Sequence, residues 1–252
     1  METTTQSTGR RRAFRVIAML MAVSGVAFGL FTAIFGIIEE SQRIHAFHNA
    51  VVASLLLVLS APAALVAARA PERSGRPLVH LAAVGIAGLI TMVLSLTLDP
   101  FTLPFIVLVG VLWALRPNRE HQIPAGRPSP ILLVLVLAAA VPLVVYALGQ
   151  ADLQRIDSSS EHADFYHWVE TSFYSVAVLL LGLLTALRPA AYRLSAWSAG
   201  VALAVLGGAS LALKNHASAL DTPWAWAALV GSLVFLVVAE WESRRAAARV
   251  RE

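Results

Sequence analysis

Residues 171–187 read TSFYSVAVLLLGLLTAL, seventeen positions without a charged side chain. With Trp168–Glu170 in front, the run spans about 30 Å as an α-helix, the thickness of a bilayer's hydrocarbon core. Similar runs recur from one end of the chain to the other. Of 252 residues, 58% are hydrophobic and 13% are charged, with a mean hydropathy of +0.73, whereas soluble domains are about 25% charged. These features predict an all-α polytopic membrane protein. The short alternating segments of a β-barrel do not occur. With no cysteine in the chain, disulfides, iron–sulfur clusters and thiolate metal sites are excluded.

Breaks at charged, Pro and Gly residues divide the chain into eight candidate spans: 14–38, 49–68, 78–98, 101–115, 131–149, 168–187, 194–213 and 224–241. The fourth is the shortest and contains Pro104. Eight crossings with both termini cytoplasmic leave only Arg43, Arg155 and Lys214 outside, with the other sixteen of the 19 basic residues inside. This bias is what the positive-inside rule requires, and omitting the fourth span scatters it. The basic excess then belongs to loops facing anionic lipid. No basic groove with interleaved aromatics exists, so nucleic acid is not an expected partner. RRRAFR (Arg10–Arg15) loosely resembles a twin-arginine signal, but the apolar run behind it exceeds the about 7–15 residues of a signal peptide. An uncleaved first span is expected.

The chain reads as two related halves. Shifting by 119 positions places His48 on His167 and Arg69 on Arg188, and LDPFTLP (98–104) resembles LDTPWAW (220–226). The expected organisation is a cytoplasmic tail (1–13), a four-helix repeat (14–115), a cytoplasmic linker (116–130), a second four-helix repeat (131–241) and a cytoplasmic tail (242–252). Four spans per unit make the repeats parallel, related by an axis along the membrane normal, where sites tend to collect.

Five of the seven histidines fall outside, and the stretch before the sixth span, SSSEHADFYHWVE (Ser158–Glu170), is the densest in chemistry. Ser158, Ser159 and Ser160 offer N-cap hydroxyls and Glu161 suits a first helical turn, which predicts a helix from near residue 160. On such a helix Asp164, His167, Thr171 and Tyr174 share one face; His45 and His48 form the matching stripe on the second span. If the stripes converge, His45, His48, Asp164 and His167 form a ligand set for Zn²⁺, Fe²⁺, Mn²⁺ or Cu²⁺. Glu161, His162 or Glu40 would serve as outer ligand, orienting group or general base. Alternatively, His48 and His167 are axial ligands of a haem. Histidines and acids at a wet helix end are also ordinary boundary residues, and Tyr166, Trp168, Tyr174, Trp224 and Trp226 fit an interfacial aromatic belt. His80 and His121 lie on the cytoplasmic side without partners nearby in sequence, and His216 falls in the outer loop before the eighth span. Pro62, Pro104 and Pro142 read as helix kinks.

In architecture the chain resembles the haem A synthases, with eight spans in two halves and with His48 and His167 opening the second and sixth spans. That resemblance implies further histidines opening spans four and eight. Asp99–Pro100 and Asp221–Thr222–Pro223 stand there instead, so haem A synthesis is not carried over.

Four classes of function are compatible with these features. One is a metal- or haem-bearing protein doing redox or hydrolytic chemistry, with a lipid-soluble molecule entering from the bilayer. Another is a transporter, for which midspan polar residues are few and uncharged. A third is a metal-free enzyme, such as a cyclase, using Glu161 or Asp164 as its acid in an apolar pocket. The fourth is a scaffold without chemistry. No nucleotide-binding, HExxH or nucleophile-elbow motif occurs.

Overall fold

The computed structural model describes residues 3–38, 45–118, 127–157, 160–188 and 191–249. Glu39, Glu40, Arg43, His121, Ser158 and Ser159 lie outside the described residues. Each apolar run forms a helix, and no strand occurs among the described residues. We number the eight long helices α1 (Thr3–Ile38), α2 (Ala46–Arg69), α3 (Gly75–Ser95), α4 (Thr102–Leu115), α5 (Pro130–Ile156), α6 (His167–Leu187), α7 (Arg193–Ala212) and α8 (Thr222–Arg249). Seven are long and apolar enough to cross a membrane; α4, with 14 residues, is shorter and reaches about 21 Å.

Helix α6 is central and the most enclosed of the seven, while α1, α5 and α8 expose most of their apolar side chains. It packs against α5, α3, α7 and the first turns of α2. Small residues set the closest approaches. A Cβ on Gly207 of α7 would stand 2.7 Å from the Ala225 carbonyl of α8, and Ser232 on α8 donates to the Gly200 carbonyl at 2.8 Å. In lipid, where apolar burial gives no driving force, such contacts are what hold helices together.

Hydroxyl and imidazole bonds continue that logic down the middle of the bundle. Tyr174 donates to the Ala202 carbonyl at 2.8 Å and therefore accepts from Ser54, 2.7 Å away. One turn further along α2, the helix widens into a π segment at Leu55–Ser60, where the Ala61 amide reaches back five residues to Leu56. Pro62 is the cause. It has no N–H to give the Val58 carbonyl, so the α ladder cannot continue through this turn. Ser198 on α7 donates to the freed Val58 carbonyl at 2.8 Å, and His80 on α3 donates Nε2–H to the Leu59 carbonyl at 2.6 Å. With its proton on Nε2, His80 accepts the Ser195 hydroxyl at Nδ1, 2.9 Å away. His80 thus has two partners, both distant in sequence, as the lack of any nearby along the chain requires.

Removing this imidazole strands a buried carbonyl and a buried hydroxyl. His80→Ala should therefore destabilise the protein by about 1–3 kcal/mol, read from thermal unfolding in detergent. An unchanged midpoint would show that the π segment does not need its clamp.

Candidate functional site

The site forms where α2 and α6 begin. The residues before α6 do not continue it as one helix. Ser160 caps a short turn, Glu161–Asp164, its hydroxyl accepting the Ala163 amide at 3.3 Å. Then Tyr166 adopts a left-handed conformation, φ 62°, and α6 starts afresh at His167. Non-glycine residues hold such a φ only where their surroundings impose it; here Gln154 of α5 pins the turn through the Ala163 carbonyl at 3.0 Å. The break removes Asp164 from the face shared by His167, Thr171 and Tyr174. Asp164 is exposed, and the turn instead folds His162 over the start of α6.

Five imidazoles gather there: His45, His48, His162, His167 and His216. The His48 and His167 rings stack with centroids 4.7 Å apart at 8°; His216 lies 4.7 Å and His162 5.1 Å from His48; His45 lies 4.8 Å from both His162 and His167. Trp168 covers His162 at 5.0 Å and Phe47 covers His216 at 5.1 Å. His216 is delivered by the loop between α7 and α8, which is clasped at the fully buried Ser218. The Ser218 hydroxyl donates to Gln150 Oε1 at 2.8 Å, its carbonyl accepts from Tyr146, and its amide donates to His216 Nδ1 at 3.1 Å.

His48 is the fixed point of the group. Thr171 spends its hydroxyl proton on the His167 carbonyl, 2.8 Å away, so toward His48 Nδ1 at 3.0 Å its oxygen can only accept. His48 therefore carries its proton on Nδ1 and keeps a lone pair on Nε2. That nitrogen is buried and has no hydrogen-bond partner among the described residues. Ligand atoms of His48, His162 and His216 all lie within 4.8 Å of one another. Tetrahedral ligands with Zn–N bonds of about 2.0–2.1 Å stand about 3.3 Å apart, so a cation would draw the three rings slightly inward.

Of the expected ligand set, His45, His48 and His167 come together and Asp164 does not; His162 and His216 complete the group nearest His48. Haem does not fit between His48 and His167. Axial imidazoles must point at the iron from opposite faces of the macrocycle, whereas these rings lie face to face at 4.7 Å with no slot between them. The acid roles of Glu161 and Asp164 lose their apolar pocket. Glu161, 70% exposed, stands 3.6 Å from His45 Nε2, and Asp164 faces outward. Glu170 was missed as a site residue: its side chain is 13% exposed and 3.4 Å from His167 Nδ1. Its spacing of three from His167 was the available signal.

No family model matches the chain, and neither curated proteins nor solved structures give a match.

His45 stands just ahead of α2, and burial together with the nearby His167 and His162 lowers its pKa from 6.5 against the opposing pull of Glu161. A lowered histidine pKa means the unfolded chain binds the extra proton more readily, so stability falls as pH drops through about 6.5. The thermal midpoint should decline from pH 7.5 to pH 5, and His45→Gln should flatten the decline. Equal slopes for both proteins would remove His45 as a source of it.

Proposed function

We propose that this multi-pass membrane protein holds a divalent transition-metal ion of the zinc class between His48, His162 and His216, with His45 and His167 flanking. The observation that carries this reading is His48 Nε2, a lone pair left unpaired inside the protein while the other ring nitrogen is fixed through Thr171. That is the arrangement in which a metal-bound histidine has its far N–H anchored by an outer acceptor. Neutral imidazole suits zinc, copper, iron and nickel, and three protein ligands leave a coordination position open for water or substrate. Binding at His216 competes with its bond to Ser218. Its Nδ1 accepts the Ser218 amide, so a cation must either displace that amide or send the ring proton to Nδ1. Both routes free the Ser218 amide.

The site belongs, on this reading, to the non-cytoplasmic face of an eight-span protein in the cell membrane, both termini inside. The arginine bias supports that orientation. The placement of α4 supports the eighth crossing: its last carbonyls, Ala114 and Leu115, accept from Arg10 near the start of α1, while its first turn adjoins Gly88 and Phe173 toward the histidine end. Two four-helix repeats are supported by matching neighbours. Helix α1 packs on α2 as α5 does on α6, α3 on α4 as α7 on α8, and α3 on α6 as α7 on α2.

Detergent-purified protein stripped with a chelator should take up one Zn²⁺ per chain in competition with a chromophoric indicator. His48→Ala should abolish uptake. Thr171→Val should weaken it by about 10–100-fold, and Thr171→Ser should restore it. Wild-type protein that binds no stoichiometric ion, or His48→Ala that binds like wild type, defeats the reading. The Ser218 amide resonance should shift on metal addition.

A further inference from the structure

A cavity of about 320 Å³ lies beside the histidine group, between α1, α2, α4 and α6. Drug-sized ligands occupy pockets of about 300–1,000 Å³ that are mostly apolar with a few placed polar groups. Five phenylalanines, Phe28, Phe101, Phe105, Phe165 and Phe173, line this one. Among the described lining residues Glu170 is the acid, and no lysine or arginine occurs.

We infer that this chamber binds a lipid-soluble organic cation, held by the five aromatic rings and by Glu170 as counter-ion.

The balance of charge selects a cation over a neutral lipid. Asp99, fully buried behind the α4 N-terminus, adds a second carboxyl behind Thr102 of the chamber wall. Its own oxygens are already taken, accepting from the Phe101 amide at 2.8 Å and from the Thr102 hydroxyl. The Glu170 carboxyl group, by contrast, has a single hydrogen-bond partner among the described residues, the His167 ring at 3.4 Å. A carboxylate has about four acceptor sites, and a buried charge is costly unless paired. Aromatic faces supply the remaining attraction, since ring quadrupoles recognise quaternary ammonium groups without competing for their hydration. The Thr32 hydroxyl, bonded to the Phe28 and Gly29 carbonyls, and the Thr102 hydroxyl, bonded to Asp99, are already committed to the protein. Asn49 Nδ2, in contrast, is buried on the same wall without a partner among the described residues. Its N–H groups can donate to a cation that also carries an oxygen.

The inference stands apart from the metal reading, because none of the three proposed ligands lines the chamber. Its test uses full-length protein in nanodiscs of uncharged lipid with a chelator present. Phenyltrimethylammonium and tert-butylbenzene have the same shape and differ by one charge. Saturation-transfer NMR and calorimetry should show the cation binding about tenfold or more tighter than its neutral twin. Glu170→Gln should lose that preference, with the neutral compound unchanged. Phe105→Leu, which keeps the wall apolar, should weaken the cation alone and serves if Glu170→Gln fails to fold. Equal affinity for both compounds, a preference that survives Glu170→Gln, or no binding of either compound overturns the inference. Each of these results leaves the zinc titration untouched, so the two readings can fail separately.

Discussion

The hydrogen bond between His48 Nδ1 and Thr171 Oγ1 decides what the histidine end of this molecule can do. It exists because the Thr171 proton is already committed to a carbonyl of its own helix, so the direction of the bond is not free to reverse. A reversed bond would move the lone pair to Nδ1 and leave a buried donor on Nε2. The bond also requires α2 and α6 to meet within a fraction of an ångström. That demand explains the polar seam below it. Ser54 with Tyr174, Ser198 with the Val58 carbonyl, and His80 with the Leu59 carbonyl each fix α2 against a different neighbour. In a bilayer, where water cannot satisfy a stray group, such bonds set helix register as packing alone does not.

Pro62 makes this seam possible. A regular α-helix keeps its carbonyls for itself, and α2 would then have shown α3 and α7 only side chains. By deleting one donor, Pro62 opens a π turn whose carbonyls reach outward, and His80 and Ser198 answer them. The turn lies at the level of the Ser198 and His80 clamps, deeper in the bundle than His48, so the upper part of α2 is carried on a joint held from both sides.

The helical membrane class was legible from charge-free length, and the meeting of the second and sixth helices from the shared placement of their histidines. What escaped the sequence has definite causes. Asp164 was placed on the His167 face because helical periodicity was carried through Tyr166, whose left-handed backbone is imposed by contacts with α5 and has no glycine to announce it. His216 sits in a loop whose path depends on Ser218 meeting Tyr146 and Gln150, partners about seventy residues away that periodicity cannot link. His80 looked idle because its acceptor is a main-chain carbonyl, which no side-chain pattern records. Pro62 was legible as a kink, but which carbonyls it would free, and to whom, was not.

If the two halves are repeats, their differences show how the end of the bundle became specialised. Under the 119-residue shift, Thr171 corresponds to Val52 and Glu170 to Val51. A symmetric partner for His167 would therefore be Val52, which has no polar group. His167 turns instead to Glu170 on its own helix, and Val52 becomes wall for the phenylalanine-lined chamber. A second cavity of about 610 Å³, between α5, α6, α7 and α8, stayed almost wholly apolar, with Tyr146 and Asp221 as its few polar groups. One substitution pattern thus does two things at once. It directs the His48 lone pair toward the imidazole group, and it turns His167 and Glu170 toward the chamber. His48 belongs to the imidazole group and His167 to the chamber wall, and their stacked rings, with centroids 4.7 Å apart, join the two.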